Sequence, residues 1–100
     1  MTFSIHFGDL PHSDRLRSEC ERVAEELRSE FPEALKVEVK LQKSGENHEA
    51  HLHVTGKSVD VAATSSHRGL HESVSECFER ARRQLRKHHD KVVFERRRRA

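Results

Sequence analysis

The sequence predicts a small α+β domain of order β-α-β-β-β-α, a four-stranded sheet with two helices packed on one face. Three observations point there. Two long stretches repeat apolar residues at spacings of three and four, the period of an amphipathic helix. Four shorter stretches alternate apolar with polar residues, the period of a half-buried strand. The first strand reaches the second only through a helix, whereas the later strands are joined by short turns.

Phe3-Ser4-Ile5-His6-Phe7 alternates as a strand until Gly8-Asp9-Leu10-Pro11-His12 breaks it. Ser13 is a natural N-cap, because its hydroxyl can accept an orphan helix amide, and Asp14 complements the helix dipole. Leu16, Cys20, Val23, Ala24, Leu27 and Phe31 then form one stripe, and Pro32 ends the helix by barring an αR conformation at Phe31. Leu35, Val37, Val39 and Leu41 alternate with Lys36, Glu38, Lys40 and Gln42 as the second strand. Ser44-Gly45-Glu46-Asn47 turns the chain into Ala50, Leu52 and Val54, and Thr55-Gly56-Lys57-Ser58 turns it into Val59, Val61 and Ala63. A loop, Thr64–Gly69, leads to the second helix, with Leu70, Val74, Cys77, Phe78, Ala81 and Leu85 inward and the stripe reaching His88.

The helix crossover makes the first pair of strands parallel, and the hairpins make the others antiparallel. The face away from the helices should carry Ser4, His6, Lys36, Glu38, Lys40, His51 and His53. Residues 1–91 form one domain in this reading. Residues 92–100 form a basic tail whose Arg96–Arg99 run repels itself and is expected to lack a fixed structure in isolation.

Composition narrows the function. One hundred residues, 33% hydrophobic and 36% charged, support a single modest core and argue against a two-lobed enzyme. No apolar run is long enough for a membrane span, the N-terminus lacks a signal-peptide pattern, and two cysteines suit a reducing cytoplasm. The net charge of +2 conceals an asymmetry. Residues 1–66 hold 8 Lys and Arg against 12 Asp and Glu, whereas residues 67–100 hold 11 against 5. A basic C-terminal third points to a polyanionic partner.

Placed at 100° per residue, Arg68, Arg82 and Arg86 fall on one flank of the second apolar stripe. Arg80, Lys87 and Lys91 fall on the other, and Arg83 lies near the outward pole. Guanidinium groups on consecutive turns suit phosphate oxygens and track a backbone without reading sequence. The competing explanation is a solvated face balanced by pairs such as Glu76–Arg80 and Glu79–Arg83.

Nine histidines raise metal binding. His51 and His53 share a strand face, with His6 expected nearby, but adjacent His88 and His89 point about 100° apart and no Cys/His cluster has zinc spacing. The histidines read better as surface groups that add positive charge in mild acid. Cys20 and Cys77 sit on buried stripes as small hydrophobes. No nucleophile elbow and no phosphate-cradling glycine loop is present, so neither catalysis nor a cofactor is expected. The five Phe fall on core positions or in the tail at Phe94, and there is no Tyr or Trp. Phosphate and shape readout is therefore expected over base stacking.

Two segments carry a family resemblance. His51-Leu52-His53-Val54-Thr55-Gly56-Lys57 resembles the hairpin of the ribosome hibernation-promoting factor family, also called ribosome-associated inhibitor A or sigma-54 modulation proteins. The helix from Phe78 to Lys91, with Gln84-Leu85-Arg86-Lys87-His88-His89-Asp90-Lys91, resembles that family's Gln-Leu-x-Lys-His-Lys-Asp-Lys ending. The resemblance spans about residues 1–91 and matches the short form, so ribosome pairing through the long form's C-terminal domain is not expected. Where the family opens this helix with Asp-Leu/Met-Tyr-Ala-Ala-Ile-Asp, this chain has Gly69-Leu70-His71-Glu72-Ser73-Val74-Ser75. The resemblance implies a bacterial, cytoplasmic stress factor, monomeric when free, that occludes the mRNA and tRNA channel of the small ribosomal subunit. It implies rRNA contacts from Arg82, Arg83, Arg86, Lys87 and Lys91, with Lys57 in the hairpin added; helix position adds Arg80. The layout is also similar to double-stranded-RNA-binding domains, which makes a general RNA-binding module the first alternative. A His-rich metal-responsive protein is the second.

Overall fold

The computed structural model describes residues 2–91 in full and, over 92–99, the course of the helix backbone alone. The expectation for the 92–100 tail therefore lies outside the fully described residues. The elements are β1 (Thr2–His6), α1 (Asp14–Glu30), β2 (Ala34–Ser44), β3 (Asn47–Gly56), β4 (Val59–His67) and α2 (Leu70–Arg99). The sheet order is β1-β2-β3-β4, with β1 parallel to β2 and the other pairs antiparallel. Element order, strand directions and the α+β class agree with the alternation pattern.

Both helices pack on one sheet face, because the inward stripes and the strand alternation demand a single shared core. Leu16, Cys20, Ala24 and Leu27 of α1 are buried, as are Val37, Val39 and Leu41 of β2. Leu52, Val54, Val74, Cys77, Ala81 and Leu85 are buried with them. Ser13 caps α1 as its position suggests: it is extended at φ −133, and its Oγ accepts the Leu16 amide at 3.2 Å. Phe31 closes that helix, donating its amide to the Leu27 carbonyl at 2.7 Å, directly before Pro32.

Three details depart from the sequence reading. Leu35 is not in the core but 52% exposed. The β2–β3 register shifts between Ala34 and Lys36, so Ala34 takes the inward place and Leu35 is the extra residue of a bulge. β4 continues through the stretch read as loop, to His67, with Ser65 at the next inward position. Arg68 lies before α2, not on its flank, because the helix begins at Leu70.

Ser73 explains that starting point. It is fully buried; its hydroxyl donates to the His48 carbonyl at 2.7 Å and accepts the His67 amide at 3.0 Å. One side chain thus joins the start of β3, the end of β4 and the first turn of α2.

Candidate nucleic-acid interface

α2 is polarised along its length. Residues 70–79 contain Glu72, Glu76 and Glu79 but no Lys or Arg, whereas residues 80–91 contain six Lys and Arg against Asp90 alone. Cations toward a helix C-terminus also complement its dipole. A cleft over the first half is lined by Glu72, Glu76 and Glu79 together with His67, Arg80 and Arg83, a sign pattern ill suited to phosphate. The basic surface is confined to the second half.

Packing sorts the six cations into two groups. Arg80 is held on the β4 side: it pairs with Glu76 and donates to the Thr64 carbonyl at 2.6 Å. Gln84 donates to the Ala62 carbonyl at 3.0 Å, so these two residues cover two carbonyls of β4, the edge strand, whose unpaired backbone groups offer a template for strand addition. Arg82 and Arg86 are held on the α1 side. Arg82 Nε lies 3.4 Å from Glu30 and its Nη2 3.9 Å from Glu26, while Arg86 pairs with Glu30 as well.

Arg83, Lys87 and Lys91 form the second group. All three are exposed and, among the described residues, no carboxylate lies within ion-pair distance of them. Their i, i+4 spacing sets them about 6 Å apart along one row of the helix. The expected Glu79–Arg83 pair does not form, whereas Glu76–Arg80 does.

Lys57 sits at the same end of the molecule as this row. Its amide donates to the Glu33 carbonyl at 3.1 Å, and the Glu33 carboxylate lies 2.9 Å from His89 Nδ1, between Lys87 and Lys91 in sequence. Phe31 packs edge-on against the His89 ring at 5.8 Å. The β3–β4 turn, the α1–β2 connection and the second half of α2 therefore meet. Partial burial raises the Glu33 carboxyl, but its own backbone amide and His89 outweigh that and hold it below the ordinary carboxylate value.

The histidines act mostly as partners for acids. His12, His51, His53, His67, His71 and His89 each lie beside a carboxylate, at distances such as 2.6 Å for His53–Asp60 and 3.7 Å for His71–Glu19. The His67 hydrogen bond, joined by Arg80, holds the Glu76 carboxyl below its ordinary value. His67 and His71 are four apart, but the helix begins between them and they turn to Glu76 and Glu19 respectively. No group of three or more His, Cys, Asp or Glu able to hold a metal occurs among the described residues.

Cys20 and Cys77 are buried and unbridged. Burial pushes the Cys20 thiol up to about 12 and the Cys77 thiol up to about 11, so neither is a reactive thiolate. Phe31 and Phe78 are buried, and Phe3 and Phe7 pack partly against the core, so among the described residues no Phe ring stands on the open sheet face. That face carries Lys40, His51 and His53 beside Glu38, a mixed surface instead. No described helix is long and apolar enough to cross a membrane.

Sequence reasoning identified every cation of the second half of α2. It could not say which ones the fold had already engaged, since Glu26, Glu30 and the Thr64 carbonyl are distant in sequence. It also missed Gln84 and Ser73, which carry no charge signal.

No curated protein matches the chain. Among solved structures, a ribosomal subunit interface protein from Coxiella burnetii matches with a TM-score of 0.82 and 13% identity, covering 90% of this chain and 99% of that one. The Thermus thermophilus Protein Y N-terminal domain matches with a TM-score of 0.73 and 16% identity, covering 86% and 93% respectively. At such identities the likeness is one of fold. At the level of sequence, the family described as sigma 54 modulation protein / S30EA ribosomal protein matches residues 3–93, from the first strand into the second half of α2, and the chain belongs to that family.

Proposed function

We propose that this protein is a ribosome-associated translation inhibitor that docks on small-subunit rRNA in the mRNA and tRNA channel. It acts by occupancy and not by catalysis. The observation that carries this reading is the exposed row Arg83, Lys87 and Lys91 in a chain of the S30EA ribosomal protein family. Lys57 at the same end extends the row onto the β3–β4 turn, and Arg80, Arg82 and Arg86 flank it in reserve.

Docking is electrostatic. Each phosphate neutralised releases condensed counterions, so affinity falls steeply with salt. With no Phe ring on the open face among the described residues, and no Tyr or Trp in the sequence, backbone and shape recognition is favoured over base stacking. The free protein is a cytoplasmic monomer in this reading.

The test is co-sedimentation with vacant small subunits at graded salt, using the natural chain and the triple variant Arg83→Gln/Lys87→Gln/Lys91→Gln. Pelleting of the natural chain and its loss in the variant support the proposal. Failure of the natural chain to pellet at low salt refutes it. Equal affinity for an unrelated RNA stem would favour a general double-stranded-RNA-binding module.

A further inference from the structure

We infer that Glu30 of α1, with Glu26 beside it, competes internally with phosphates for Arg82 and Arg86, and so limits how much of α2 a polyanion engages. The inference rests on the proposed reading of α2 as a phosphate-binding helix. It concerns residues of α1 that make no contact with RNA themselves.

The geometry is that of a shared clamp. One carboxylate, Glu30, accepts a hydrogen bond from Arg86 and lies 3.4 Å from Arg82 Nε, within ion-pair distance but without a hydrogen bond, and Glu26 stands 3.9 Å from the same Arg82. Carboxylate and phosphate oxygens use the same guanidinium fork, so one arginine serves one or the other well but not both. The pairs lie at the surface, with Arg82 36% and Arg86 61% exposed, so they can be exchanged for an incoming anion without unpacking the core.

The contrast across the helix gives the clamp a consequence. Among the described residues, Arg83, Lys87 and Lys91 have no carboxylate partner, whereas Arg82 and Arg86 do. A flexible strand that touches the open row gains little by displacing Glu30. A rigid RNA surface with phosphates over both flanks exchanges the carboxylate and engages two further guanidinium groups. The acids of α1 thereby weaken binding to generic nucleic acid more than to a shaped partner, which is selectivity by an added unfavourable element.

The test compares Glu30→Gln with Glu25→Gln, an equal charge change at an exposed α1 position outside the Arg82 and Arg86 pairs. Binding to a short duplex RNA is titrated at several salt concentrations, with thermal melts confirming the fold. Glu30→Gln is expected to bind more tightly than both the natural chain and Glu25→Gln. Its log affinity should fall more steeply with log salt by about one to two, since each added phosphate contact contributes about 0.9. That excess should vanish in an Arg82→Gln/Arg86→Gln background. Equal behaviour of the two Gln variants, or weaker binding by Glu30→Gln, overturns the inference; weaker binding would mean that Glu30 holds the arginines in place for RNA. Parallel binding to vacant small subunits separates the two ideas. Subunit binding with no Glu30 effect rejects only the competitor, and a Glu30 effect on duplex RNA without subunit binding rejects only the ribosome reading.

Discussion

Arg83 and Arg86 are both exposed, both on the basic half of α2 and three residues apart, so sequence alone treats their reversal to Glu as equivalent. The structure makes them differ. Arg86→Glu removes a partner of Glu30 and places a second carboxylate against it. A pair this exposed contributes about 0.2–1 kcal/mol, and like charges at the same spacing cost a similar amount. The total is about 1 kcal/mol, or about 4–8 °C in Tm for a domain of this length. Arg83→Glu breaks no ion pair among the described residues. It only brings a like charge to Glu79 one turn away, for a cost of about 0.2–0.5 kcal/mol. Thermal unfolding followed by circular dichroism, at low salt and at 1 M salt, measures both. Arg86→Glu should melt several degrees below Arg83→Glu at low salt, and the gap should shrink at 1 M, where the Debye length is about 3 Å. Equal melting temperatures at low salt, or a greater loss for Arg83→Glu, would show that the Glu30 clamp does not hold α2 to α1.

Other outcomes follow from packing and titration. Gly56→Ala should cost about 1–3 kcal/mol or more in denaturant unfolding, because a Cβ there would lie 2.0 Å from the Glu33 carbonyl oxygen at the bulge. Glu33 and Glu76 are held below their ordinary value of 4.5, so the stability they contribute is full above that value. It is lost as pH falls through their lowered folded values, and His67→Gln should flatten the acid-side decline in Tm by releasing Glu76. An undiminished decline would remove His67 from that role. Cys20 and Cys77 should resist thiol reagents in the folded protein and react together on unfolding. Rapid labelling of either in native buffer would contradict their burial.

The parts of the fold legible in the sequence were those set by local periodicity. Ser13, the Leu16–Leu27 stripe and Pro32 define α1 without reference to the rest of the chain, and period-two alternation placed Val37, Val39, Leu52 and Val54 inward. What escaped depends on neighbours distant in sequence. The bulge at Ala34–Lys36 arises where β2 meets the Gly56 turn, and an apolar Leu35 cannot announce that it will face solvent. Ser65 and Ser73 are buried although polar, and for Ser73 a carbonyl and an amide from β3 and β4 satisfy the hydroxyl. For the candidate site, counting charge located the basic half of α2. Only tertiary packing separated Arg83, Lys87 and Lys91 from Arg80, Arg82 and Arg86.

The most direct test of the central proposal is the salt dependence of co-sedimentation with vacant small ribosomal subunits. If Arg83, Lys87 and Lys91 each neutralise one phosphate, replacing all three by Gln should reduce the slope of log affinity against log salt by about 2.7, at about 0.9 per contact. The melting temperature should stay nearly unchanged, because surface changes of this kind stay within about 0.5 kcal/mol each. A natural chain that stays in the supernatant at low salt, or a triple variant with an unaltered slope, would contradict the proposal.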